Sequence, residues 1–96
     1  MNKIRTLIIS AALAVLPVTA FADAINVGLM CPLTGGWASE GQDMRQILTL
    51  LVEEVNKAGG VNGNTINLVI EDDGGDPRTA ALAAQKLATA GVVAVI

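Results

Sequence analysis

Few side chains in this 96-residue chain are equipped for covalent chemistry. Histidine and tyrosine are absent, and Cys31 is the only thiol. Ser39 therefore has no imidazole to activate it, a Cys–His couple cannot form, and neither a His-ligated nor a thiolate metal cluster is available. A lone cysteine makes no internal disulfide either. Four carboxylates gather at Glu71, Asp72, Asp73 and Asp76. A calcium loop needs acids in the alternation D-x-[DN]-x-[DN]-G, closed by a bidentate glutamate, and that spacing is missing. The cluster reads instead as a solvated loop leading into a helix cap.

A second segment, residues 32–41, is rich in glycine and small polar residues and holds the only tryptophan, Trp37. Gly36 and Gly41 match the outer glycines of a phosphate loop, yet Gln42-Asp43 stands where Lys-Ser/Thr is required, and G-x-G-x-x-G is absent. No cofactor is expected. What remains is non-covalent recognition, by glycines that let a backbone turn closely around something small. Trp37 is open to two readings, one wall of an apolar pocket or a cover over the sheet edge with its ring buried against helix residues. Cys31 closes an apolar run and reads as a buried small hydrophobe.

Both segments need a scaffold to bring them together. Residues 25–31 form a near-continuous apolar run ended by Pro32, the pattern of a strand covered on both faces. From about residue 42 to 58, Met44, Ile47, Leu48, Leu51, Val52 and Val55 recur at helical spacing, with polar residues opposite, and Gly59-Gly60 supplies the stop. A turn over 61–64 precedes a second strand over 65–70 and an acidic loop over 71–76. Asp76-Pro77 is a helix start, an aspartate cap followed by a proline where no amide bond is lost. Ala80, Ala83, Ala84, Leu87 and Ala88 line one face of this second helix, Gly91 ends it, and a third strand begins at Val92. The order β-α-β-α-β predicts an α/β fold, a doubly wound parallel sheet with right-handed crossovers. In such sheets ligands bind outside the carboxyl ends of the strands, where loops 32–41 and 71–76 fall.

Ahead of this unit, Lys3 and Arg5 precede an apolar stretch over residues 7–18, and Ala20-Phe21-Ala22 offers small residues at the two positions a signal peptidase reads. Residues 1–22 are therefore expected to be a signal peptide. The apolar run is about 12 residues long, against roughly 20 for a bilayer span. Cys31 follows Met30 rather than a small residue, which argues against a lipid anchor. The expectation is export to the periplasm as a soluble protein. After Ala22, 74 residues carry four basic side chains against all nine acids, a formal charge of −5. That leaves no basic footprint for nucleic acid. A chain this short buries only about 60% of its surface, and the sequence stops inside the apolar run 92–96. The expectation is a fragment whose mature part does not fold stably by itself.

Several motifs in register resemble one family. They are Ile25-Asn26-Val27-Gly28, Pro32-Leu33-Thr34-Gly35, the run Glu53-Glu54-Val55-Asn56-Lys57-Ala58-Gly59-Gly60-Val61-Asn62-Gly63, Asp72-Asp73-Gly74-Gly75-Asp76-Pro77, Ala83-Ala84-Gln85-Lys86-Leu87 and Gly91-Val92-Val93-Ala94-Val95-Ile96. Together they look like the opening of the periplasmic branched-chain amino-acid (leucine/isoleucine/valine)-binding proteins. The resemblance implies that residues 23–96 begin the first of two lobes of a type I periplasmic binding protein. The lobes close on a branched-chain or related amino acid, which is delivered to the permease subunits of an ABC importer. The protein would meet the membrane only through that permease and would not be an enzyme.

Members of the family carry an aromatic residue just before the glycine matching Gly41, packed on the ligand side chain. Here Glu40 holds that place, and Trp37 lies three residues earlier. The candidate ligand-binding residues are accordingly Trp37, Ser39 and Glu40. Some members have a disulfide-bonded cysteine at the position of Gly75, which cannot pair. The groups that bind the ligand carboxylate and ammonium come mostly from beyond position 96 in this family. A ligand-sensing periplasmic domain for amides or small organic acids, and an inactive truncated product, are the alternatives.

Overall fold

The computed structural model describes residues 24–96. The expected signal peptide and its cleavage site at Ala22 lie outside the described residues. Five elements follow in order: β1 (Ile25–Cys31), α1 (Ala38–Lys57), β2 (Ile66–Asp72), α2 (Pro77–Thr89) and β3 (Ala94–Val95). The strands form one parallel sheet in the order β2-β1-β3, with β1 in the middle. Ile25 pairs with Ile66 and Cys31 with Asp72, so β1 and β2 end level with one another.

Alternation along β1 sends its side chains to two different helices. Val27 and Leu29 share grooves with Leu48 and other apolar residues of α1. Gly28 and Met30 face α2, where Met30 lines a groove with Ala84 and Ala88. A Cβ on Gly28 would stand 3.2 Å from both methyls of Leu87. The missing side chain leaves room for Leu87 close against the strand, and a methyl there would make it give by a few tenths of an ångström. Leu29, Cys31, Ala83 and Leu87 are the fully buried hydrophobic residues, two from the central strand and two from α2. With helices on opposite faces of a parallel sheet, the described residues form the doubly wound arrangement that the pattern predicted.

Element boundaries differ from the expectation in three places. α1 starts at Ala38 instead of about residue 42, so Ser39, Glu40 and Gly41 belong to its first turn and not to the preceding loop. The reason is Gly41, buried with its α-carbon so close to the chain that an added Cβ would meet the Pro32 carbonyl oxygen at 1.5 Å. It is a contact glycine inside a helix rather than a loop glycine. β2 runs on through Glu71 and Asp72, because ladder bonds to β1 continue past the apolar residues. β3 comprises only Ala94–Val95, although Val93 donates to Asn26 O at 2.8 Å and Ile96 donates to Gly28 O at 2.8 Å on either side of it.

The two helix starts are built differently. Asp76 caps α2 as expected, accepting from the Thr79 amide at 3.0 Å ahead of Pro77. Trp37 occupies the N-cap of α1 and gives its first turn no side-chain hydrogen bond. At the far end of α1, Asn56 is not simply part of a polar face. Its side-chain amide donates to Ile66 O at 2.9 Å and accepts from Ile66 N at 2.7 Å, completing the first residue of β2 as a neighbouring strand would.

Candidate functional site: the platform at the strand carboxyl ends

The carboxyl ends of β1 and β2 lie side by side, and one side chain ties the loops that leave them. Asp72 Oδ1 accepts from Leu33 N at 2.7 Å and from Gly74 N at 2.8 Å, while Oδ2 accepts from Thr34 Oγ1 at 2.6 Å. These bonds hold the Asp72 carboxyl below its ordinary titration range, the Thr34 hydroxyl contributing most, then the Leu33 and Gly74 amides. Asp73 N donates to Cys31 O at 3.1 Å, which carries the β1–β2 pairing one residue further. The acidic cluster is therefore a set of braces. Asp73 Oδ1 accepts from Gly75 N at 2.8 Å, and Asp76 serves Thr79 by amide and hydroxyl. Its carboxyl is likewise held low, mainly by the Thr79 amide. Among the described residues no group of three His, Cys, Asp or Glu is placed to hold a metal ion.

On this base the two loops touch. Gly35, at φ 86°, comes so near the second loop that an added Cβ would stand 2.9 Å from Gly74 O. Gly75, at φ 67°, leaves room for the Trp37 ring, whose Cδ1 would be 3.4 Å from a Cβ there. Only glycine takes up these left-handed conformations without steric cost. Trp37 is nonetheless 63% exposed. The reading in which its ring is buried against helix residues is not what these residues show, since the indole rests on Gly75 and turns most of its surface to solvent.

Ser39 and Glu40 share the first turn of α1 with Trp37, both exposed. All three candidates fall in the turn that opens α1, just after the loop leaving β1. Ala38 N donates to Gly35 O at 3.2 Å and Gly41 N to Trp37 O at 3.0 Å. Among the described residues the Ser39 and Glu40 amides have no acceptor, so this turn presents free N–H groups beside the indole. Sequence reasoning missed Asp72 and Thr34, the pair that fixes the platform. The available signal was an aspartate two residues after one apolar run, with a threonine three residues after another. Cys31 lies beneath, fully buried. Burial pushes its thiol up in pKa, with Asp73 and Asp72 adding to the effect, so it is a packing residue as expected.

Apolar grooves on the described residues open elsewhere. One runs between α1 and the sheet, past Val27, Leu51, Val55 and Ile96, and another lies under α2. Both are seams between packed elements, whereas the platform is an open surface. Its chemistry suits holding a ligand against an aromatic face and free amides.

Comparison with known proteins gives a consistent picture. The model of the family described as "Periplasmic binding protein" matches residues 24–96. A leucine-, isoleucine-, valine-, threonine- and alanine-binding protein of Pseudomonas aeruginosa is 41% identical over 75 residues, covering 78% of this chain and 20% of its own length. A branched-chain amino acid transporter substrate-binding protein of Streptococcus pneumoniae, solved in complex with isoleucine, superposes with a TM-score of 0.72 at 30% identity, covering 75% of this chain and 21% of that one. A fatty acid ABC transporter substrate-binding protein from Thermomonospora curvata superposes with a TM-score of 0.71 at 38% identity, over 76% of this chain and 18% of that one. The chain spans about a fifth of the length of these relatives.

Proposed function

Since the chain belongs to the periplasmic binding protein family, we propose that it forms the opening of the first lobe of a solute-binding component of an ABC importer, one that takes a branched-chain or related amino acid. Binding, not catalysis, is its task. The ligand lies outside the carboxyl ends of β1 and β2. Closure of a second lobe over it makes the shape that permease subunits read. Within this scheme Trp37 forms an apolar wall, and Ser39 and Glu40 line the same edge. The signal segment, removed after Ala22, directs the protein to the periplasm.

The observation that carries this reading is the 63% exposed Trp37 ring standing on Gly75, at the place where two strand-end loops are braced together by Asp72. A large aromatic surface costs free energy when left in water, and a ligand or a facing lobe recovers it. A second reading has one observation in its favour, the 38% identity to a fatty acid substrate-binding protein. In that reading the same wall packs on an alkyl chain.

A chimera tests both. Residues 24–96 replace the corresponding segment of the Pseudomonas aeruginosa relative, and the purified product is titrated calorimetrically with leucine, isoleucine, valine, threonine, alanine and a medium-chain fatty acid. Retained amino-acid binding supports the proposal. Binding of the fatty acid alone supports the second reading. A folded chimera that binds none of them overturns both.

A further inference from the structure

The turn between α1 and β2 contains Asn62-Gly63, with φ of 52° at Asn62 and 81° at Gly63. Val61 N donates to Asn64 O at 2.8 Å and Asn64 N to Val61 O at 2.9 Å, closing a two-residue hairpin. Positive φ at both central residues makes this a type I′ turn. Its two hydrogen bonds hold the outer residues and leave the Asn62–Gly63 peptide outside the ladder. Among the described residues neither the Gly63 N–H nor the Asn62 side-chain amide has a hydrogen-bond partner, and Asn62 is exposed.

We infer that Asn62 is a site of spontaneous modification, cyclising onto the Gly63 nitrogen and opening to a mixture of aspartyl and isoaspartyl linkages. The argument is geometric. Ring closure brings the Gly63 nitrogen against Asn62 Cγ, which requires that nitrogen to lie nearly eclipsed with Cβ about the Cα–C bond. The type I′ turn does not have that torsion. Its peptide-flipped partner, type II′, places ψ of the first central residue near about −120°, the mirror image of type II, and that value gives the eclipsed arrangement. Flipping one peptide leaves both Val61–Asn64 bonds in place, breaks no hydrogen bond among the described residues, and moves no side chain at position 63. A branched residue after Asn62 would block the approach.

The atoms balance without a redox partner. Gly63 N–H gives its proton to a solvent base, and the nitrogen attacks Asn62 Cγ. The new C–N bond forms, Nδ2 takes up a proton from the protonated base, and the Cγ–Nδ2 bond breaks so that Nδ2 leaves as ammonia. Water then adds to either carbonyl of the cyclic imide. Opening at Cγ restores the normal backbone with an aspartate side chain, and opening at the main-chain carbonyl routes the backbone through Cβ and Cγ. The second product lengthens the turn by one methylene and disrupts the Val61–Asn64 pairing.

Other asparagines in the described residues lack one or more of these conditions. Asn26, Asn56 and Asn67 have hydrogen-bonded side chains, and Asn64 precedes Thr65, whose branched side chain hinders attack. The turn adjoins the amino end of β2, at the opposite end of the sheet from Trp37. Modification therefore bears on the α1–β2 junction and not on the candidate site.

The test is incubation of the purified chimera carrying residues 24–96 in mildly alkaline buffer, with and without urea, followed by peptide mapping and labelling with an isoaspartyl methyltransferase. Circular dichroism monitors folding. The expected result is modification concentrated at Asn62 in the absence of urea, faster as pH rises, and lost in Asn62→Gln. Modification at Asn62 only in urea would show that the turn protects the residue and would overturn the inference. An unmodified Asn62 in both conditions, or equal modification at the other asparagines, would overturn it as well.

Discussion

Thr34 and Asp72, 38 residues apart in the chain, are joined by a 2.6 Å hydrogen bond from the threonine hydroxyl to the carboxylate. This bond ties the loop after β1 to the end of β2. It is also the largest cause of the low Asp72 titration range.

A pH dependence follows. Asp72 and Asp76 both bind protons less tightly in the folded state than in the unfolded chain, where their ordinary value is near 3.8. Their contribution to stability is complete above that value and drains away as pH falls below it toward the depressed folded pKa. Urea midpoints of the chimera, measured from neutral to strongly acid pH, are expected to drop in that acid window. Asp72→Asn should lower the midpoint at neutral pH and flatten the acid drop, and Thr34→Val should do so in part.

Trp37→Ala is expected to weaken ligand binding in the chimera by about 1–3 kcal/mol, as the loss of an aromatic face implies. Thermal stability should fall less, because the ring is mostly exposed and rests on one glycine. Calorimetry and a melting curve on the same variant read both quantities. Unchanged affinity with lost stability would remove Trp37 from the site. Glu40→Gln is the paired control, and a change in affinity there alone would assign the wall to Glu40.

Two glycines in the same segment should respond in opposite ways to alanine. Gly41→Ala places a methyl on the Pro32 carbonyl, and overpacking against backbone should cost more than about 3 kcal/mol or prevent folding. Gly36 has no atom within 4 Å of its virtual Cβ, so Gly36→Ala should stay within about 0.5 kcal/mol of the parent. Chemical denaturation of both variants decides the matter.

Asn56→Ala removes the two hydrogen bonds to Ile66. The expected loss is about 1–2 kcal/mol, counting two exchanged bonds at a half-buried edge. Hydrogen exchange should localise the effect, with the Ile66 amide losing protection while those at the carboxyl end of β2 keep theirs.

Local rules accounted for the elements. The apolar runs, the helical spacing from Met44 to Val55 and the Asp76-Pro77 start each arise from neighbours in sequence, so the α/β order and the parallel sheet were readable directly. The motifs in register likewise pointed to the family whose model matches residues 24–96. Gly41 misled the reading of α1, because a glycine needed for close approach and a glycine needed for a turn look alike until the carbonyl of Pro32 is seen against it. The acidic cluster was legible as an exposed loop leading into the Asp76 cap, but not as a brace. Aspartates next to glycines predict solvent-facing loops, and only the level ends of β1 and β2 turn Asp72 into the brace for Leu33 and Thr34. Sequence alone determined which segments are strands, helices and turns, since backbone preference and periodicity act over a few residues. Tertiary structure decided which of their polar groups meet and that Trp37 stands exposed on Gly75, since those contacts join segments almost forty residues apart whose approach is set by sheet register and the absence of particular side chains.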